Sequence, residues 1–461
     1  LRDRIDEIRD RDAELVIVGN GAGHFARAFR EELDLDCPVL VDPELKAYRA
    51  AGMRRGYVEA LSPRVPLRGL QAFYSGARQS GVKGDPWQLG GVFVIRPEHR
   101  LTYAYRSNVA GDHPPIDEVL SALDPEAPAI KDAPATVALP WRLLGRALTP
   151  IVDPTIALSF DKTGFAIHSL NFDAGDLDVD LSEKRCLVTG ANSGLGFEIA
   201  AALADLGATI DLLCRNAARG DAAAKSIREA TGNDRVTCRQ IDMSSMDSIR
   251  CFADEFGDQT VDVLVHNAGL LPAERSESDD GLEITFATHV AGPHLFTRLL
   301  RNNLAAAAGA RVVWVSSGGM YTRKLQLDDY NWREREFDGT LAYAETKRAQ
   351  VVLSELWADE LRNDGIAVNA MHPGWADTPG VRSSIPNFWR IMRAFLRTPA
   401  EGADTAIWLA ASPAAAGESG RFFFDRRARR THLLPGTWES EAERRMLWTL
   451  CEDATADAAR A

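Results

Sequence analysis

The chain has 461 residues, 45% of them hydrophobic and 26% charged, an ordinary globular composition long enough for more than one domain. Its net charge of −13 argues against nucleic acid or an anionic membrane as the principal partner. No apolar run approaches the roughly 18 residues of a membrane span and no signal peptide is visible; six scattered cysteines without a C-x-x-C pair fit a reducing, cytoplasmic setting.

Residues 1–124 alternate strand and helix patterns. Leu15–Gly19 reads as a buried strand, Phe25–Leu33 as a helix, Pro38–Val41 as a second strand and Leu45–Ala51 as a second helix. After a glycine-rich stretch, Gly69–Gly90, the segments Gly91–Ile95 and Leu101–Tyr105 predict a hairpin, and Pro114-Pro115 opens a closing helix. This order is thioredoxin-like. The segments Val41-Asp42-Pro43, Gly84 to Gly91, Tyr105-Arg106-Ser107 and Gly111 to Pro115 resemble the peroxiredoxin-like branch of that fold. The resemblance implies a reactive cysteine on the first helix; Leu1–Arg9 reads as the tail of that helix, so the thiol is expected upstream of Leu1. Cys37 reads as a small half-buried apolar residue without the electropositive niche a reactive thiol needs, and no peroxidase activity is expected of it.

Residues 125–138, rich in proline and alanine, read as a linker, and Trp141–Leu148 as an amphipathic helix opening a second domain over 139–461. There Cys186-Leu187-Val188 is a strand running into Thr189-Gly190-Ala191-Asn192-Ser193-Gly194-Leu195-Gly196, with a helix from Phe197 to Leu206. A glycine-rich turn between strand and helix lets backbone approach a pyrophosphate, which then sits on the free N–H groups and positive dipole end of the helix. The second strand, Thr209–Leu213, is followed by Cys214-Arg215-Asn216. Where an acid would bind the ribose hydroxyls of NAD, Arg215 offers a planar cation to a 2′-phosphate, which favours NADP(H) over NAD(H). Asp242 and Met243 close a third strand near the adenine; Asn267, Ala268 and Gly269 end a fourth; Pro373 and Gly374 follow a later one.

Tyr343 and Lys347 stand four apart in a helix-forming run and share a face. A cation beside a phenol stabilises phenolate, which makes the pair a candidate acid/base. Preceded by the glycine-rich loop, Asn267-Ala268-Gly269 and Ser316-Ser317, and followed by Pro373-Gly374, it resembles the short-chain dehydrogenase/reductases over roughly 140–455. Val315–Met320, Phe337–Thr340, Met371–Val381 and Gly420–Arg426 are similar to a branch of that family whose substrate is poorly defined.

The resemblance implies an α/β fold, a Rossmann doubly wound parallel sheet behind a smaller thioredoxin-like α/β domain, and an NAD(P)-dependent oxidoreductase acting on a carbonyl or alcohol. Tyr343 would then be the acid/base, Lys347 would lower its pKa and bind the nicotinamide ribose, and Ser317, or Ser316 if the register slips by one, would hold the substrate oxygen. His289 falls where many relatives carry an asparagine that holds a relay water to the lysine; it is expected either to serve that relay or to weaken it. Tyr321, with its lysine three residues on, reads as a loop residue. The lid, Thr378–Arg397, carries Ile385, Phe388, Trp389, Ile391, Met392, Phe395 and Leu396 and suggests a bulky hydrophobic substrate or a packing surface; homo-oligomers are common in the family. The run Arg426, Arg427, Arg429 and Arg430 reads as a solvated face before a polar helical tail. No metal is expected, because the nine histidines lack ligand spacing. A cofactor-binding sensor with weak catalysis, or a redox fusion with its thiol site upstream of Leu1, is the competing reading.

Overall fold

In the computed structural model, residues 4–20, 35–42, 90–97, 100–106, 114–124 and 156–456 are described, with scattered residues between 26 and 53 and between 145 and 153. Positions 69–89 of the glycine-rich stretch, the 125–138 linker and most of Trp141–Leu148 lie outside the described residues. So do Pro43, Ser107 and Gly111–His113 of the peroxiredoxin-like segments. The chain divides into two compact units, Leu1–Arg142 and Leu143–Ala461.

In the first unit, helix α1 (Ile5–Arg9) precedes strand β1 (Ile17–Gly19), which pairs in parallel with β2 (Val39–Val41). The expected hairpin is β3 (Gly91–Arg96) against β4 (Arg100–Arg106), antiparallel, with a register shift at Val94/Ile95. Helix α2 (Ile116–Ser121) packs Val119 on Val94. Cys37 is buried just before β2.

The second unit is a doubly wound sheet of eight strands in the order β12-β11-β10-β9-β8-β5-β6-β7, parallel except for β12. Its strands are β5 (Arg185–Thr189), β6 (Thr209–Cys214), β7 (Val236–Gln240), β8 (Val263–His266), β9 (Arg311–Val315), β10 (Ala367–Met371), β11 (Arg421–Phe424) and β12 (Arg427–Arg429). Side chains alternate between two buried layers, which is why the strands read as unbroken apolar runs. Leu187, Leu213, Leu264, Val312 and Trp314 face one layer; Cys186, Val188, Ile210, Leu212, Val265 and Val313 face the other.

The first face is covered by α7 (Met246–Phe256), α8 (Gly292–Leu299), α9 (Gly339–Glu360) and α13 (Glu441–Ala454). The second is covered by α5 (Gly194–Asp205), α6 (Ala217–Thr231) and α12 (Pro399–Ala411). Strand order reverses between β5 and β8, so a crevice opens at their carboxyl ends, the usual ligand position in such sheets. Two short helices, α3 (Ile156–Phe160) and α4 (Lys162–Ser169), precede the sheet, while α10 (Pro379–Ser384) and α11 (Pro386–Met392) form the lid.

Two expectations are corrected here. The tail after 424 is not simply helical: Asp425 and Arg426 take φ of 49° and 55° in a tight turn that returns the chain as edge strand β12. The arginine run is only partly solvated. Arg426 is bound by Asp404 and Asp176, and Arg429 by Asp153, while Arg427 and Arg430 are exposed. An edge strand of three residues carries almost no periodicity, which is why the pattern was invisible in sequence. Among the described residues no helix is long and apolar enough to cross a membrane.

Candidate active site

The glycine-rich turn runs from β5 into α5. Gly190 has φ +66°, and a Cβ there would come within 2.9 Å of the Ala268 Cα; a Cβ on Gly196 would meet Asn267 Nδ2 at 2.4 Å. Asn267 ties the two strand ends together: its backbone N donates to Thr189 Oγ1 at 2.9 Å and its Nδ2 to Thr189 O at 2.8 Å. Asn216, Ser245 and Asp338 close the N-termini of α6, α7 and α9 with side-chain acceptors. Ser193, at the head of α5, gives no such hydrogen bond, so the first-turn N–H groups are left for an anion. These features fit a dinucleotide pyrophosphate.

Arg215 is exposed just past β6, and Asp242, half-buried, accepts from the Ser244 backbone and hydroxyl. Cys214, at the end of β6, is buried, and burial pushes its thiol up to about 12, so it stays protonated.

The catalytic candidates converge from β9 and α9. Ser316 and Ser317 part at the end of β9. The Ser316 hydroxyl is buried and donates to Lys347 O at 2.8 Å, whereas Ser317 lies near enough to Tyr343 to favour its phenolate, and caps the following 3-10 turn by accepting from Gly319 N at 3.2 Å. The second serine is therefore the one beside the phenol. Tyr321 is not a loop residue but sits buried in that turn, Gly318–Thr322, and its hydroxyl donates to Arg430 O at 3.0 Å.

Lys347 departs from its expected pose. Its Nζ donates to Val315 O at 2.9 Å and to Gln350 Oε1 at 3.0 Å, and lies 5.4 Å from the centre of the Tyr343 ring. Burial without a carboxylate partner pushes the amine down to about 7. The Tyr343 phenol is raised overall, burial outweighing the lowering by Ser317.

His289 lies in a π-helical turn, Ala287–Ala291, ahead of α8. Its Nε2 accepts from Leu270 N at 3.0 Å, which puts the ring proton on Nδ1, 2.9 Å from Thr346 Oγ1. Thr346 in turn donates to Tyr343 O. Burial, with Lys347 nearby, holds the imidazole well below its usual range and therefore neutral. Both ring nitrogens are committed to protein partners.

The loop Pro373-Gly374 follows β10 with Gly374 N on His372 Nδ1 at 3.1 Å. A cleft of about 460 Å³ opens at the start of α9, one turn before Tyr343, lined by Leu271, Pro272, Ala273, Phe337, Gly339 and Ser384 among others. Of the seven apolar lid residues only Leu396 is buried; Ile391 and Phe395 are exposed, and Phe388 packs edge-on to Trp375. Among the described residues no three His, Cys, Asp or Glu side chains converge as a metal site.

The sequence profile described as short chain dehydrogenase matches residues 184–387, and that of AhpC/TSA antioxidant enzyme matches residues 1–108. Dehydrogenase/reductase SDR family member 12 of Bos taurus is 41% identical over 297 residues, covering 64% of this chain and 93% of the relative. Retinol dehydrogenase 14 of Homo sapiens is 34% identical over 290 residues, covering 58% and 85%. A solved short chain dehydrogenase/reductase family protein is 28% identical, with a TM-score of 0.44 over 53% of this chain and 96% of its own. The first unit carries an AhpC/TSA-like, thioredoxin-type segment, and the chain, through its second unit, belongs to the short-chain dehydrogenase/reductase family of oxidoreductases.

Proposed function

We propose that the second unit is an NADP(H)-dependent carbonyl reductase or alcohol dehydrogenase for a bulky hydrophobic substrate. The observation that carries this reading is the convergence of Ser317, at the carboxyl end of β9, with Tyr343 and Lys347 of α9, close enough that Ser317 favours the phenolate, beside a glycine-rich turn fit for a dinucleotide. When bound, the cofactor supplies or accepts the hydride. Tyr343 gives its phenolic proton to the carbonyl oxygen in reduction and takes it back in oxidation; a phenol raised by burial carries that proton at neutral pH. Ser317 orients the same oxygen, and Lys347 holds the ribose and steadies the phenolate formed in the reaction.

Arg215, exposed past β6, supports a preference for the 2′-phosphorylated cofactor. The cleft mixes Leu271, Pro272 and Phe337 with Glu336 and Asp338; support for an apolar substrate comes from the exposed lid residues Ile391 and Phe395, and from retinol, a hydrophobic alcohol, in the name of a relative. The test is a panel of hydrophobic aldehydes and alcohols with NADPH, NADH and their oxidised forms. Turnover with at least one pair, faster with the phosphorylated cofactor, is expected. Turnover confined to small hydrophilic substrates, or a preference for NADH, would contradict the reading.

A further inference from the structure

Gln350 is fully buried in α9, one turn past Lys347, and its amide joins two groups of the site. Oε1 accepts from Lys347 Nζ at 3.0 Å, and Nε2 donates to His289 O at 2.9 Å. That carbonyl lacks its ordinary α-helical donor for a reason written in the sequence. In an α-helix it would take the N–H of residue 293, but Pro293 has none, and the chain widens into the π-turn at 287–291. The π-turn backbone thus offers an acceptor towards α9, and Gln350 has the length to reach it while still meeting the lysine.

We infer that Gln350 is the positioning residue of the site: it holds the Lys347 ammonium against Val315 O and anchors it, through the His289 carbonyl, to the π-turn. The inference rests on the proposed role of Lys347. It also assigns His289 a different part from a ring relay, since its backbone oxygen rather than its imidazole connects to the lysine. The bridge ends there. An amide accepts at one atom and donates at the other and passes no proton at neutral pH, so a proton returning to Tyr343 enters from the cleft side rather than through His289.

The groups facing Lys347 are few. Among the described residues its titratable neighbours are Tyr343 on its own helix and His289 from the π-turn, both neutral, and no carboxylate pairs with it. The Gln350 oxygen is therefore the one side-chain dipole that stabilises the charged amine, and changing it moves the lysine in a direction set by the replacement. Gln350→Glu puts a carboxylate of the same length against Nζ and raises the lysine pKa; Gln350→Leu removes the acceptor and lowers it.

The experiment is a ¹³Cε-lysine NMR titration of the cofactor-free protein, with the Lys347 signal identified by its loss in Lys347→Arg. Opposite displacements of about one pH unit in the two variants are expected. Titration of Lys347 at the wild-type pH in both folded variants overturns the inference, even if both have lost activity. Should Gln350→Leu fail to fold, the near-isosteric Gln350→Glu carries the test alone. Failure of the catalytic reading is seen separately, as turnover that survives Tyr343→Phe, and leaves this titration unaffected.

Discussion

The backbone N of Trp375 donates to Phe160 O at 2.8 Å, joining the helical segment ahead of the sheet to the loop behind the Pro373-Gly374 turn. The Phe160 ring lies 4.5 Å from His372 and 6.0 Å from Trp375, and its Cε2 stands 2.5 Å from where a Cβ on Gly318 would be. An element preceding the family-matched region therefore walls the site immediately after Ser317. Gly318→Ala must push Phe160 away or shift the serine turn. We expect kcat/KM to fall at least tenfold, about 1.4 kcal/mol, with cofactor affinity unchanged; steady-state kinetics alongside NADPH titration checks this.

Arg397 and Asp425 form a buried, two-pronged ion pair, with contacts of 2.6 and 2.9 Å, under the same wall. His168 Nδ1 adds a contact of 2.6 Å to Asp425. Burial raises the Asp425 carboxyl, but Arg397 and His168 win and hold it at about 2. Arg397→Met would strand that carboxylate and is expected to cost about 3–5 kcal/mol in chemical denaturation. Because the folded pKa is depressed, the stabilisation is present above the ordinary carboxylate range and is lost as pH falls through about 2.

Lys347 has the opposite sign. Its folded pKa of about 7 is below its unfolded one, so burying the cation weakens the fold most below pH 7, and the penalty fades as pH rises toward the unfolded value. Lys347→Met removes the penalty. The variant's stability advantage over wild type should shrink between pH 7 and pH 10, at about 1.3 kcal/mol per pH unit in the middle of that window. Urea melts at several pH values measure it. An advantage independent of pH would mean the amine is not strained.

Arg215 stands exposed, so replacing it perturbs little but the cofactor. Arg215→Asp is expected to weaken NADPH by tenfold or more, about 1.4 kcal/mol, while leaving NADH unchanged or tighter. Fluorescence titration with both cofactors reads the switch.

Much of the second unit was legible in sequence because its strands are buried on both faces and its glycine turn sits where a strand becomes a helix. The order of Thr189–Gly196, Asn267–Gly269, Ser316-Ser317 and Tyr343–Lys347 is carried by local pattern. What depends on packing was not legible. Strand β12 is too short to show a period. Phe160 lies more than 150 positions from the Ser317 turn it abuts, and nothing local joins them. Gln350 shared the helical face of Lys347 at a spacing of three, a signal that was present, but its significance needed the carbonyl that Pro293 leaves without its ordinary α-helical donor. The lysine's pose also depends on depth, since only burial reveals how weakly its charge is supported.

The most direct measurement is single-turnover reduction of a hydrophobic aldehyde by bound NADPH in wild type and Tyr343→Phe, after confirming equal cofactor affinity. Removing the phenolic proton is expected to slow the chemical step at least a hundredfold, about 2.7 kcal/mol, with NADPH binding within twofold of wild type. A variant that reduces the aldehyde at the wild-type rate would contradict the assignment of Tyr343 as the acid.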